Sequence, residues 1–277
     1  MLNRICSVLA ISLCLTVALL QCELSFAKDD ELKPEELAAQ HVKSIGSPEA
    51  LAAVTTRSIS GNSTFKFISG ATGQMSGPVQ WVSEKGKMGV VVRYGGNEYP
   101  GEHFAYDGKD VMVNNIKTGQ RSPLGDFLYG HGGIFKSDIW GGALNIGWPL
   151  LNLKESGAKI KSKKKTIDGR ELYEMEYMPK ASMEDVKVKL YFDPATFRHV
   201  MTEYRLRLLL QNNTTNYVLT EKFDDFRQAD NLTLPFKYSI NFMFDGSSGS
   251  LQTLYTFDFD KIAHNGNIDP RFYQAQK

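Results

Sequence analysis

Cysteine is almost absent from this chain. The three cysteines, Cys6, Cys14 and Cys22, all lie near the N-terminus. The rest of the chain therefore has no disulfide, no thiolate nucleophile and no cysteine-ligated metal. A chain of 277 residues is long enough to bury a sizeable core without such crosslinks.

An excess of one charge sign is also lacking. The sequence has 32 lysines and arginines against 31 aspartates and glutamates, for a formal net charge of +1. No long run of one sign covers the chain, and a nucleic-acid-binding protein usually carries a strong basic excess. We therefore expect no nucleic-acid partner.

Motifs that carry chemistry are missing as well. The sequence has no His-Glu-x-x-His and no Gly-x-Ser-x-Gly. The five histidines are spread along the chain without metal-ligand spacing: His41, His103, His131, His199 and His264. We therefore expect no enzyme activity, no catalytic residues, no metal and no cofactor.

The N-terminal segment has the pattern of an export signal. Arg4 supplies a positive charge, and an apolar run follows over residues 5–20. Ser25 and Ala27 are small residues at positions −3 and −1 of a cleavage site. We predict that residues 1–27 are a signal peptide, cleaved after Ala27, and that the protein is exported.

Two alternatives to this cleavage stay open. One is an uncleaved membrane anchor, for which the apolar run is short. The other is lipid attachment at Cys22, for which Gln21 is larger than the residue that usually precedes a lipidated cysteine. Because no second long apolar stretch follows, we expect the mature protein to be soluble.

Helix signals are concentrated at the start of the mature chain. Pro34 and the acidic residues after it predict a helix that Gly46 ends, and Ser47-Pro48 predicts the start of a second one. Strand patterns separated by turn residues follow at residues 57–68, 75–84, 87–94, 103–107, 110–116, 158–166 and 170–178.

The later strands alternate clearly between apolar and polar residues. Tyr238, Ile240, Phe242 and Phe244, for example, form one apolar stripe. Such alternation is typical of an antiparallel sheet with one apolar face, and about a dozen strands are too many for a flat sheet. We predict a mainly β fold: a single curled antiparallel sheet, an unclosed half-barrel, forming one domain over residues 28–277.

A glycine-rich apolar segment, residues 117–157, interrupts the strands; we call it the insert. Its large apolar residues, with two tryptophans that we expect to be exposed, are Phe127, Phe135, Trp140, Leu144, Trp148 and Leu150. We interpret the insert as a lid over an apolar hollow, with these six residues as the ligand-binding site. Alternatively, they are core residues of a cap that never opens. The glycines around His131 supply hinge freedom.

A lysine-rich run follows the insert. Lysines occupy positions 159, 161, 163, 164 and 165, at the start of a predicted strand. They fit a charged strand edge that discourages aggregation. They also fit a contact with anionic lipid head groups or an acidic partner.

Several segments resemble the LolA-like family of exported bacterial proteins, the outer-membrane lipoprotein-sorting proteins. The resemblance is spread over most of the mature chain, and the segments that carry it are His41–Val54 with Ser60-Gly61, Phe104–Val113 with its Tyr-Asp-Gly-Lys, Leu190–Phe197 with its Asp-Pro-x-Thr, Asn231–Lys237 and Ile262–Phe272.

The resemblance implies an unclosed β-barrel lidded by helices, located in the periplasm. It also implies a carrier that takes lipid or the acyl chains of lipoproteins into the hollow, with at most transient membrane contact. The chain is longer than the best-known carriers, and no arginine aligns with the one that governs lid closure in them. The rival interpretation is an envelope sensor or scaffold that binds a protein partner, whose mark would be a hollow filled by the chain's own side chains.

Overall fold

The computed structural model describes residues 32–96, 99–115, 121–180, 186–210, 213–247 and 249–274. The predicted signal peptide, its cleavage site and the three cysteines lie outside these residues, as do residues 117–120 of the insert. Among the described residues, none of the helices combines the length and apolar character needed to cross a membrane.

The two predicted N-terminal helices are present. Helix α1 spans Pro34–Ile45 and α2 spans Pro48–Ala52. Ser47 caps α2, because its Oγ accepts a hydrogen bond from the Ala50 N–H at 3.2 Å. The insert adds three short helices and two 3₁₀ turns: α3 (Pro123–Gly130), α4 (Gly133–Lys136), 3₁₀ turns at Gly142–Leu144 and Pro149–Asn152, and α5 (Leu153–Ser156).

Twelve strands make up the rest of the fold as described. They are β1 (Thr56–Ser69), β2 (Gln74–Glu84), β3 (Lys87–Val92), β4 (Glu102–Tyr106), β5 (Val111–Asn115), β6 (Lys159–Ile167), β7 (Arg170–Met178), β8 (Lys187–Phe192), β9 (His199–Leu210), β10 (Asn213–Ala229), β11 (Leu232–Gly246) and β12 (Gly249–His264). A 3₁₀ turn at Pro270–Tyr273 follows.

All twelve strands form one antiparallel sheet in the order β5-β4-β3-β2-β1-β12-β11-β10-β9-β8-β7-β6. Each half of the chain forms a meander of hairpins, and β1 joins the halves by pairing with β12. In the part of the chain that the structure describes, β5 and β6 are the two edges, so the sheet is not closed. The insert connects these two edges.

The sheet is strongly curled. Strands β4 and β10 are six positions apart, which is about 29 Å in a flat sheet at 4.8 Å per strand. Trp140 nevertheless packs against Phe104 of β4 at 5.5 Å between ring centroids, and the next residue, Gly141, bonds to Glu221 of β10. The predicted fold class, a mainly β unclosed half-barrel, is therefore confirmed.

The apolar faces of the strands line the concave side. The stripe Tyr238, Ile240 and Phe242 is buried, as the alternation predicts. It belongs to one cluster that also includes Leu37 and Ile45 of α1. The helices, the insert and the sheet thus share a single core.

The lysine-rich run lies on β6, at an edge of the sheet. This position fits the interpretation of a charged edge that discourages pairing with other chains. Four of these lysines, Lys159, Lys161, Lys163 and Lys165, also continue a charged surface across β7, β8 and β9.

Candidate ligand-binding site

The hollow of the half-barrel is occupied by the insert. The six predicted site residues are all buried, and the structure brings them into the common core: Phe127, Phe135, Trp140, Leu144, Trp148 and Leu150. The expectation that the two tryptophans are exposed is wrong, since each is 1% exposed. In this state the insert fills the hollow rather than spanning its mouth.

Trp140 lies at the centre of the hollow. Its ring stacks on Trp81 of β2 with centroids 5.2 Å apart, and Phe135 packs against it at 4.9 Å. The indole N–H groups of Trp81 and Trp140 are both buried and have no acceptor among the described residues. An unsatisfied buried donor costs about 1–3 kcal/mol, so the closed arrangement is well packed but incompletely hydrogen-bonded.

Glu221 of β10 holds the middle of the insert. Its carboxylate accepts hydrogen bonds from the Gly141 N–H at 2.8 Å, from the Tyr204 hydroxyl at 2.9 Å and from the Tyr238 hydroxyl at 2.5 Å. Burial raises the pKa of Glu221 to about 7, and these hydrogen bonds oppose that rise. A carboxyl group that titrates near neutral pH therefore contacts the insert backbone.

Gly141 is required at its position for two reasons. Its φ of 78° lies in the left-handed region that favours glycine. A Cβ there would also lie 2.4 Å from the ring of Trp81. A side chain at residue 141 therefore destabilises the stacked arrangement of the hollow.

Arg57 of β1 contacts the insert from another side. Its guanidinium is buried and donates a hydrogen bond to the carbonyl of Ala143, and its Nε lies 3.1 Å from His264 Nε2. Burial lowers the pKa of Arg57 to about 10, so the side chain stays charged at neutral pH. The sequence did not predict this contact between Arg57 and the insert.

The second tryptophan is held by α1. The indole N–H of Trp148 donates to His41 Nε2 at 3.0 Å, and its ring stacks on His199 at 5.0 Å. Burial lowers the pKa of His41 to about 4, although a hydrogen bond to the Phe197 carbonyl opposes this. His41 is therefore neutral at physiological pH and can accept the indole hydrogen bond.

The start of the insert is fixed to β4. Glu102 is buried and accepts hydrogen bonds from the Ser122 N–H at 2.7 Å, the Ser122 hydroxyl at 2.6 Å and the Tyr99 hydroxyl at 2.6 Å. Burial raises the pKa of Glu102. Ser122 also caps α3 by accepting from the Gly125 N–H at 3.0 Å.

These polar groups hold the insert to the sheet. Glu221, Arg57 and Glu102 bond to backbone or hydroxyl groups of the insert. Within the described ranges, no three His, Cys, Asp or Glu side chains are grouped as a metal ion would require. What the site offers chemically is an aromatic hollow and a segment held in it by hydrogen bonds.

Sequence reasoning identified the apolar residues of this site and missed the polar ones. A usable signal was present, since Glu221 stands between Leu219 and Phe223 on the inward face of β10. A charged residue at an inward position of an alternating strand must be hydrogen-bonded to something inside. Arg57, two residues before the buried Ile59, follows the same rule.

Comparison with known proteins gives distant likenesses only. Neither a protein-family model nor a curated protein matches the sequence. Among solved structures, the LolA superfamily protein NE2245 from Nitrosomonas europaea is 14% identical, with 87% of this chain and 97% of that chain covered and a TM-score of 0.45. A DUF1329 family protein from Desulfovibrio piger is 8% identical, with 86% and 96% covered and a TM-score of 0.46.

A MucA/MucB complex from Pseudomonas aeruginosa also matches, at 7% identity and a TM-score of 0.21, with 84% of this chain and 99% of that chain covered. At these identities the likeness concerns the fold alone. With all TM-scores below 0.5, it carries no conclusion about the family or function of this chain.

Proposed function

We propose that this protein is a non-catalytic binder of an apolar ligand, such as a lipid or the acyl chains of a lipoprotein, in the periplasm. The ligand takes the place of the insert in the hollow. The observation that carries this proposal is the buried indole N–H of Trp81 on β2, which finds no acceptor among the described residues. Trp81 lines a hollow whose present occupant, the insert, leaves this N–H unsatisfied, and an ester or carboxyl oxygen of a lipid would accept from it.

The energetic balance of such an exchange is reasonable. An acyl chain gains about 0.8 kcal/mol for each methylene that it buries. That gain competes with the burial of the insert's own aromatic rings. On displacement, the backbone of the insert would exchange its hydrogen bonds to Glu221 and Arg57 for hydrogen bonds to water. Binding and release are then both possible without chemistry, and no enzyme activity is part of the proposal.

A second candidate is a sensor or scaffold that binds a protein partner. The specific observation in its favour is that the hollow is already filled by the chain's own side chains, Trp140 and Trp148 among them. In that case the insert is a permanent part of the core, and recognition uses the outside of the molecule.

Two perturbations of the insert, the substitution Gly141→Ala and a disulfide to β5, distinguish these candidates. Gly141→Ala should disfavour the closed state by about 1–3 kcal/mol, the usual cost of a non-glycine residue in a strained backbone region. If the insert competes with the ligand, the apparent affinity for palmitic acid should rise roughly 5- to 150-fold. Gly130→Ala is the matched control, because a Cβ there meets nothing within 4 Å.

The opposite perturbation is a disulfide across the edge of the hollow. A Cβ at Gly132 would lie 3.4 Å from Cβ of Val111, close to the separation of about 3.5–4.5 Å found in disulfides. Val111→Cys with Gly132→Cys should weaken palmitate binding when oxidised and restore it when reduced. Binding that ignores this disulfide would contradict displacement of the insert. An absence of binding in the wild type and in Gly141→Ala would favour the scaffold.

A further inference from the structure

The outer face of strands β6–β9 carries a concentrated positive charge. The strand register places eight basic residues on this face, against three acidic ones, Glu174, Glu176 and Glu203. We call it the basic face, and its basic residues are Lys159, Lys161, Lys163, Lys165, Lys187, Lys189, Arg205 and Arg207.

The charge is localised along the chain as well. Residues 159–207 contain twelve lysines and arginines against eight aspartates and glutamates, whereas residues 208–277 contain six against eight. The nearly neutral composition therefore hides a polarised molecule. Protection of the sheet edge would need charge on β6 alone. Lys187 and Arg207 lie on β8 and β9, which are not edge strands. The basic face therefore extends beyond what edge protection explains.

Three of these basic residues surround a buried carboxylate. Glu174 lies on β7 with its side chain fully buried, and three ammonium groups surround it: Lys189 at 3.1 Å, Lys165 at 3.2 Å and Lys163 at 3.4 Å. Burial alone would raise the pKa of Glu174, but Lys189 and Lys165, together with a hydrogen bond from the Tyr191 hydroxyl, lower it to about 2. One negative charge thus holds three positive ones together, and the cluster keeps a net positive charge at its surface.

Exposed apolar side chains accompany the charge. Leu209 continues the outward row of β9 past Arg207 and is 72% exposed. Met178, beside Lys159 at the end of β7, is 40% exposed. Basic residues with apolar side chains at one end are the combination that binds anionic membrane surfaces, where the charges meet head groups and the apolar groups enter the interface.

We propose that the basic face docks this protein on an anionic phospholipid surface. The docking uses the outside of the half-barrel, so it does not depend on whether the insert leaves the hollow. Charge complementarity alone would also fit a soluble acidic polymer. The exposed Leu209 and Met178 favour the membrane, because a soluble polyanion gives them nothing to enter.

The test uses the full mature chain and sedimentation with vesicles of phosphatidylglycerol and phosphatidylcholine. We expect binding to vesicles rich in phosphatidylglycerol, little binding to pure phosphatidylcholine, and loss of binding at high salt. The combined change Lys161→Gln, Lys187→Gln and Arg207→Gln should weaken binding about 100-fold, at about 1 kcal/mol for each charge near the surface.

The matched control removes the same charge elsewhere. Lys66→Gln, Lys237→Gln and Lys261→Gln change three exposed lysines on other strands, and binding should fall far less. Equal losses in the two triple variants would overturn the proposal, since net charge would then explain the effect. Circular dichroism and thermal unfolding check that both variants fold.

Leu209→Ser separates the membrane from a soluble polyanion. It should weaken vesicle binding several-fold and leave binding to poly-glutamate unchanged. Binding to poly-glutamate without binding to anionic vesicles would overturn the proposal. Vesicle binding that is insensitive to both Leu209→Ser and the basic-face variant would overturn it as well.

Discussion

Glu221→Gln provides a sharp test of how the insert is held. At the position of Oε1, the glutamine keeps one acceptor oxygen for the Gly141 N–H and the Tyr238 hydroxyl, and the substitution removes the titration. Its amide group introduces an offset in stability that does not vary with pH. Any pH dependence of the difference between the wild type and the variant therefore belongs to Glu221 itself.

The magnitude follows from the pKa of this group. In the folded protein it is raised to about 7, from an ordinary value of 4.5. At 1.36 kcal/mol per pKa unit, this difference corresponds to about 3 kcal/mol. Between these two values the unfolded chain has lost the proton that the folded chain keeps. The unfolded state thus binds fewer protons, and the free energy of unfolding falls as the pH rises.

The assay is urea unfolding at a series of pH values on both proteins. Relative to Glu221→Gln, the wild type should lose about 3 kcal/mol of unfolding free energy as the pH rises from about 4.5 to above 7. Asp138, whose pKa burial raises to about 6, titrates in both proteins and largely cancels. A difference that stays flat with pH, or that grows with rising pH, would refute the assignment of Glu221 as a buried group that is protonated at mildly acidic pH.

Three further predictions concern side chains packed around the core. Trp148→Ala should lower the free energy of unfolding by about 3–5 kcal/mol, measured by urea unfolding, because the ring is buried against His199; a loss below 1 kcal/mol would contradict this packing. His41→Phe should cost about 1–3 kcal/mol in the same assay, because it leaves the indole N–H of Trp148 without its acceptor; an unchanged stability would contradict the hydrogen bond. Gly89→Ala should make the C-terminal segment more sensitive to proteolysis, because a Cβ at residue 89 would lie 2.0 Å from the carbonyl oxygen of Phe272. Gly266→Ala is the control and should leave proteolysis unchanged, because a Cβ there meets nothing within 4 Å.

Local sequence signals were sufficient for most of the fold. The helix at Pro34–Ile45 was predicted from its proline and acidic first turn, and it ends at Gly46 as expected. The Asp168-Gly169 turn has φ values of 51° and 78°, as a tight hairpin between β6 and β7 requires. These features depend on residues close together in the chain, which is why the sequence reveals them.

The pairing of distant strands was not predictable in this way. The joining of β1 to β12 brings together segments some 200 residues apart, and no local pattern specifies it. The same applies to the site: the six apolar residues could be named from the sequence, but their partners could not. Trp140 meets Trp81, and Gly141 meets Glu221, only because the sheet curls.

The position of the insert also decides which experiments are informative. Replacing residues 125–150 with a flexible linker is the obvious way to test for a lid. It would remove all six buried site residues and uncover Trp81 and Glu221. Large losses of buried apolar area in a core destabilise a protein whatever the function of the segment. Loss of ligand binding in such a variant would therefore report unfolding as readily as loss of a lid.

Point changes that shift the insert between its closed and displaced positions avoid this problem. Gly141→Ala destabilises the closed position of the insert. The disulfide between residues 111 and 132 holds the insert in that position. They should change ligand affinity in opposite directions if the insert competes with the ligand. A permanent core segment has no such equilibrium, so both variants would then change stability and leave affinity alone. The opposite signs, more than the size of either effect, separate a displaceable insert from a fixed one.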